Sequence, residues 1–383
     1  MFWAGQPLKW EVIARVGGQS YCLFGCTNLP SAVQSADQLG ISFTSTHTLV
    51  NLQAGSVKLT MDFFSPISPA DYTRQSLPYS YLSISVDAGQ SSLPQISVFT
   101  AIDDSWTAQQ GSVDGQLQQS AGATVLSLTG QRSIAFSEKK QMATWGHVVL
   151  ATSSSNDSSY QIGGPSVVHR AFEDSGSLSN VAGTYSLGDL MALAQPLSAD
   201  IPATFAVGIQ QERAIQFWAM RSHLTMPHMR QIFGGFQVTI PTSSLDTNSA
   251  MAFMKEISTD GNVNTLADLL PRALPAFYVL APDYIRLLLE PVLTFSKQWP
   301  ESYAVHDIGK PKRLPKCVAG ETPEGEEKLL LDQTSVLLWM VCAYQKVSNN
   351  TEWIQSYIPI LKKYADYLVQ NGLYPPKQRS AVD

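Results

Sequence analysis

Apolar residues alternate along residues 1 to about 250. In SVKLTMDFFSP, Val57, Leu59, Met61 and Phe63 fall at every second position. In SYLSISVDA, Leu82, Ile84 and Val86 alternate with Tyr81, Ser83 and Ser85, and QISVFTAID and TVLSLTG repeat the pattern. Period-two alternation with one apolar face predicts half-buried antiparallel strands. Turn clusters such as SPISPAD, DAGQSSLPQ, SSSNDSS and DSGSLSN separate the runs. Many strands punctuated in this way predict a β-sandwich or a larger pair of packed sheets.

After about residue 265 the period changes. TLADLLPRALPAFYVLAPDYIRLLLEPVLTFSK is rich in Leu and Ala and is segmented by Pro271, Pro275, Pro282 and Pro291. Each proline suits a first helical turn or a helix end. EEKLLLDQTSVLLWMVCAYQKV reads as a buried helix. In TEWIQSYIPILKKYADYLVQNG, Trp353, Tyr357, Ile360, Leu361, Tyr364 and Leu368 form one helical stripe. Pro359 should kink or restart that helix, and Gly372 suits the position just past its end. The SNN link predicts an antiparallel helical hairpin. The expected domains are therefore a β domain over 1–250 and a helical domain over 251–383.

The chain has 383 residues, enough for two or three domains, with 44% hydrophobic and 15% charged residues. No run of eighteen apolar residues occurs, so no membrane span is expected. A net charge of −6 without a basic block argues against a nucleic-acid partner. Low charge and abundant Ser, Thr, Gln and Gly in the first 250 residues suit a secreted β-rich protein. MFWAGQPLKW has no signal-peptide pattern as written.

Cys22 and Cys26 share a face if their segment is a strand. They would then lie ~13 Å apart, too far for a disulfide unless the chain turns back. Free buried thiols are the expectation, and no zinc-type Cys/His spacing occurs. Two glycosylation sequons are present, Asn156-Asp-Ser158 and Asn349-Asn-Thr351.

At the seam between the two patterns lies FMKEISTDGNVNT, with Asp260, Asn262 and Asn264 in alternation. A calcium loop begins so, but Thr265 stands where Gly is needed and Pro271 where a bidentate Glu is needed. The expected reading is an Asp-Gly-Asn turn with Asn264 or Thr265 capping the next helix. Asp260 at a functional edge is the alternative.

The segments MAFMKEISTDGNVNTLADLLPRALPAFYVLAPDYIRLLLEPVL, YAVHDIGK and TEWIQSYIPILKKYADYLVQNGLYPP resemble the six-helical-hairpin domain of the fungal glutaminase A family. FWAGQPLKWEVIARVGGQSYCLFG and SVKLTMDFFSPISPADYTRQSLPYSYLSISV are similar to that family's N-terminal β domain. The resemblance implies a secreted hydrolase that releases ammonia from L-glutamine, without a cofactor. The expected fold is thus α+β and multidomain, an N-terminal antiparallel β-sandwich followed by an incomplete (α/α) six-hairpin toroid. Twelve helices at ~11–12 residues each need well over ~150 residues. The chain is therefore expected to be truncated relative to the family. Two further departures accompany this. QFWAMRSHLTMPHMRQIFGGFQ joins segments that the family separates by a helical stretch. Asp332 and Gln333 occupy the places of a Glu pair.

No GxSxG elbow, HExxH motif or P-loop is present. A toroid hydrolase would instead use two carboxylates flanking a water. The catalytic candidates are Glu256, Asp307 and Asp332, with His306 and Asp260 as binding candidates. His306 and Asp307 are adjacent, and neighbours on a regular element point apart, so no direct couple is expected. Asp332 is one methylene shorter than the Glu it replaces, a shift that misplaces a carboxylate. Arg74 is expected to tie a strand edge to a loop, and the tryptophans Trp3, Trp10, Trp106, Trp145 and Trp218 to pack in the sheet core. The expected partner is a small molecule, glutamine or a saccharide. Two other function classes stay open: a carbohydrate-active six-hairpin protein, and a non-enzymatic degenerate copy.

Overall fold

The computed structural model describes residues 7–27, 32–68, 70–77, 79–87, 92–107, 109, 111–120, 122–131, 138–139, 142–143, 146–153, 157–215, 224–227, 236–241, 246–254, 263–266, 270–308 and 330–372. The chain divides into two compact units. One comprises Phe2–Ile67 and Pro78–Glu212; the other comprises Ser68–Leu77 and Arg213–Asp383, together with Met1.

The first unit is a sandwich. One sheet runs Val181–Ala182, Ser159–Gly163, Leu190–Leu197, Ile96–Ile102, Trp10–Val16, Gln19–Phe24 and Gln34–Ser35. The other runs Asp37–Phe43, His47–Ala54, Val57–Phe64, Tyr79–Val86, Ala203–Ile215, His147–Ser153, Ala123–Gly130 and Val113–Gln119. The long pairings described are antiparallel. Val57, Leu59, Met61, Leu82 and Ile84 point inward and join Val12, Ala14, Val98 and Met191 of the facing sheet in one core cluster. Lys58, between two of them, is exposed. Trp106 is in that core and Trp10 packs against it, edge to face, with ring centroids 6.0 Å apart. Trp3, Trp145 and Trp218 lie outside the described residues.

The strand Ile96–Ile102 departs from the expected half-burial: all of its residues are buried. Among the described residues, two α-helices occur among the strands in sequence, α1 (Tyr72–Gln75) and α2 (Pro165–Ser175). Helix α2 covers the second face of Ile96–Ile102, where Phe99 and Ala101 pack with Val168 and Phe172. The residues Glu11, Ile13 and Arg15, at alternate positions of their strand, meet the same helix. Glu11 Oε1 lies 2.6 Å from His169 Nε2 with both side chains buried. Ile13 joins the cluster of Val168 and Phe172. Arg15 donates from Nε to the Glu173 carbonyl at 2.8 Å and from Nη2 to the Asp174 carbonyl at 3.2 Å. Those carbonyls belong to the last helical turn, which has no partners of its own.

Cys22 and Cys26 form a disulfide with Cα atoms 6.1 Å apart, which corrects the expectation of free thiols. The ~13 Å separation assumed an unbroken strand. The strand ends at Phe24, and Gly25, at φ +66°, turns the chain back. A Cβ on Gly25 would stand 1.9 Å from the Trp10 carbonyl oxygen, so the turn admits only glycine.

Among the described residues, the second unit holds α1 together with α3 (Leu270–Leu280), α4 (Asp283–Ser296), α5 (Leu330–Ser348), α6 (Thr351–Gln355) and α7 (Ile358–Asn371). A hairpin, Phe236–Thr239 with Met251–Met254, packs with them around one core. Pro271 lies in the first turn of α3 and Pro282 caps α4, but Pro275 and Pro291 lie inside their helices. The expected long C-terminal helix breaks into α6 and α7, with Pro359 in the new first turn. Its stripe holds across the break: Tyr357 is 2% and Tyr364 0% exposed. Glu290 of α4 locks that stripe in place, accepting from Trp353 Nε1 on one carboxylate oxygen and from the Tyr357 hydroxyl at 2.6 Å on the other.

Candidate functional site

The seam stretch ends in a buried bracket. Asn264 is fully buried at φ 51°, a left-handed conformation that Asn tolerates better than most residues. Its Oδ1 accepts from Met254 N at 2.6 Å, and its Nδ2 donates to the carbonyls of Ala252 and Leu288, both at 3.0 Å. One side chain thus ties the strand Met251–Met254 to the middle of α4. Asn264 lies six residues before α3 and is separated from it by the non-helical Thr265 and Leu266, so it is not that helix's cap. Asp260 and Glu256 lie outside the described residues.

This bracket supports a second segment. Leu266 N donates to the His306 carbonyl and Ile308 N to the Val263 carbonyl, both at 3.0 Å. From the other side, Gln333 Nε2 donates to the Ala304 carbonyl at 2.6 Å, and Ala304 N donates to Thr334 Oγ1 at 2.9 Å. Residues 304–308 are thus held between the seam and the first turn of α5.

His306 and Asp307 sit on this frame. Contrary to the expectation for neighbours, they do meet: His306 Nδ1 lies 3.2 Å from Asp307 Oδ2. The segment is neither strand nor helix, so alternation does not separate its side chains. Both are partly buried, with side chains 26% and 17% exposed. A carboxylate so placed has one oxygen engaged by an imidazole and enough access to meet a small molecule. Asp332 is exposed in the first turn of α5, while its neighbour Gln333 faces the 304–308 segment. Arg74 does not tie a strand edge; it lies on α1, largely exposed, with Nε 3.3 Å from Asp71 Oδ2.

A second polar grouping, absent from the sequence-based candidates, gathers at the far end of α5. Thr334 and Tyr344 are ten residues apart, or ~15 Å along the helix. The Tyr344 hydroxyl donates to Asp283 Oδ1 at 3.1 Å. Tyr72, Asp283, Tyr284, Val347 and Ser348 line a cleft of about 640 Å³. Burial, then the Asp283 charge, pushes the Tyr72 phenol up to about 12. The signal for this grouping in the sequence was only the pairing of Asp283 with a helix start.

The chain thus combines a β-sandwich unit with a helical unit. Residues 222–383 match the glutaminase A six helical-hairpin domain, and residues 46–253 match a domain of unknown function (DUF5127). The chain belongs to the glutaminase A family. It is 26% identical to the glutaminase A of Aspergillus oryzae over 458 aligned positions, covering 100% of this chain and 64% of the relative. It is 21% identical to a "Probable glutaminase" of Arthroderma benhamiae, covering 81% of this chain and 45% of that protein. The chain thus spans less than two-thirds of the length of either relative. The first alignment has 458 positions against the chain's 383 residues, so at least 75 positions of the relative have no counterpart here. Among the described residues, no helix is long and apolar enough to cross a membrane.

Proposed function

We propose that this chain is a glutaminase-type amidohydrolase acting on L-glutamine, with Asp307 as general base and His306 as the residue that positions it. The observation that carries this reading is the His306–Asp307 contact on a doubly braced segment, in a chain of the glutaminase A family. Amide hydrolysis needs an activated water and an acid for the departing amine. The free face of the Asp307 carboxylate suits acceptance of a proton from water, while the imidazole fixes the other oxygen. The water oxygen then adds to the amide carbon, the C–N bond breaks, and the nitrogen leaves as ammonia with a proton supplied by an acid. Glu256, two residues past the braced strand, is the proposed acid. Asp332 has no part in this reading because it faces solvent.

The Cys22–Cys26 disulfide supports an extracellular setting, since such bonds persist in oxidising compartments. The test is to offer the purified chain L-glutamine, L-asparagine and an oligosaccharide. Ammonia from glutamine supports the proposal. Reducing sugar without ammonia would replace it with the carbohydrate-active reading, and neither product from a folded protein would make the chain non-enzymatic.

A further inference from the structure

We propose that Asn349 is an N-glycosylation site of the folded protein, a reading that rests on the extracellular setting above. The sequence Asn349-Asn350-Thr351 has the acceptor pattern and forms the turn between α5 and α6. The structure separates the two asparagines. Asn350 is committed: its Oδ1 accepts from Trp353 N at 3.1 Å as the cap of α6, and its Nδ2 lies 3.5 Å from the Tyr344 hydroxyl. Asn349 is exposed, at φ 54°, and its side-chain amide makes no hydrogen bond among the described residues. Its backbone alone is used, N donating to the Gln345 carbonyl at 2.9 Å and the carbonyl accepting from Thr351 N at 3.1 Å. Thr351 is exposed beside it. A sugar on Asn349 Nδ2 therefore breaks no contact of the fold, whereas one on Asn350 would remove a helix cap.

The chemistry is transfer from a lipid-pyrophosphate-linked oligosaccharide. Asn349 Nδ2 bonds to the anomeric carbon, the C–O bond to pyrophosphate breaks, and the lipid pyrophosphate leaves as the amide gives up one proton. Asn349 follows Val347 and Ser348, which line the Tyr72–Asp283 cleft. Val347 is 38% exposed there and Leu280 80%. The glycan would stand at this apolar rim and hydrate it.

The test expresses the chain behind a cleavable secretion leader in yeast, with T351A and T351S beside the wild type. Mass spectrometry then reads the Asn349 peptide before and after peptide N-glycosidase. Wild type and T351S should carry a removable glycan at Asn349, and T351A should carry none. An unmodified Asn349 in secreted wild-type protein would overturn the proposal, as would equal modification of T351A. The leader delivers the chain to the lumen whatever its native compartment. Failure of the extracellular reading would instead appear as reduced Cys22 and Cys26 in protein from the native source.

Discussion

The side-chain amide of Asn264 donates to the Leu288 carbonyl at 3.0 Å, joining the turn between two sequence regimes to the middle of a helix. The same side chain serves Met254 N and the Ala252 carbonyl, so three buried backbone groups depend on it. Each buried polar group left unpaired costs roughly 1–3 kcal/mol. Asn264→Ala should therefore destabilise the helical unit by about 3 kcal/mol or more in urea unfolding. Asn264→Asp should also fail, because a carboxylate cannot donate to two carbonyls. A change within about 0.5 kcal/mol for either variant, the range of an ordinary surface substitution, would show that the bracket does not hold the unit together.

Glu290 is the corresponding tie between α4 and the α6–α7 stripe. Glu290→Gln removes the charge and one of the two acceptor oxygens, so Trp353 Nε1 and the Tyr357 hydroxyl no longer both donate to a carboxylate. The expected cost is about 1–3 kcal/mol, the range for hydrogen bonds to a charged group. It should appear together with a change in Trp fluorescence. An unaltered emission spectrum and unfolding midpoint would contradict this.

Several tyrosines resist ionisation. Burial is the first cause in each case, raising Tyr72 and Tyr364 to about 12 and Tyr185, Tyr284 and Tyr357 more strongly. A phenol whose folded pKa lies above its unfolded value near 10 binds its proton more tightly in the folded state. The stability it contributes is complete below pH ~10 and is lost as pH rises from there towards 12. Absorbance at 295 nm should therefore rise in two steps, the later one coinciding with loss of the circular dichroism signal. A single step near pH 10 in a folded protein would rule this out.

The Cys22–Cys26 bond closes a loop of about five residues, which corresponds to about 2 kcal/mol by loop entropy. Alkylation of the native protein should label the exposed Cys342 and leave Cys22 and Cys26 unlabelled until a reductant is added. The Cys22→Ser/Cys26→Ser double variant should unfold earlier by about that amount. Labelling of Cys22 without reductant would count against the pairing.

What the sequence disclosed follows from what periodicity measures. The alternation of Val57, Leu59 and Met61 and the stripe from Trp353 to Leu368 were legible because one solvent-facing side leaves a period. Ile96–Ile102 hid its environment because both of its faces are covered, so alternation no longer tracks exposure. Helix α2 was missed although Gly164-Pro165 and Gly176 mark its ends; its span was absorbed into a strand-rich region. The Cys22–Cys26 bond depended on one left-handed glycine, and the His306–Asp307 contact on irregular backbone, neither of which spacing rules encode. Asn264 looked like a cap because its long-range partners, Leu288 above all, are invisible to local patterns. The resemblance to the glutaminase A family was legible from long segments, but the chemistry of individual side chains was not.

The most direct test of the proposed activity is the rate of ammonia release from L-glutamine by the wild-type chain and by Asp307→Asn, each shown to be folded by circular dichroism. The proposal predicts measurable release by the wild type and a loss of about 10²-fold or more in kcat for the variant, as expected for removal of a general base. His306→Ala should fall by less, since it removes only the group that positions the carboxylate. Wild-type rates in Asp307→Asn, or no ammonia from a folded wild-type chain, would contradict it.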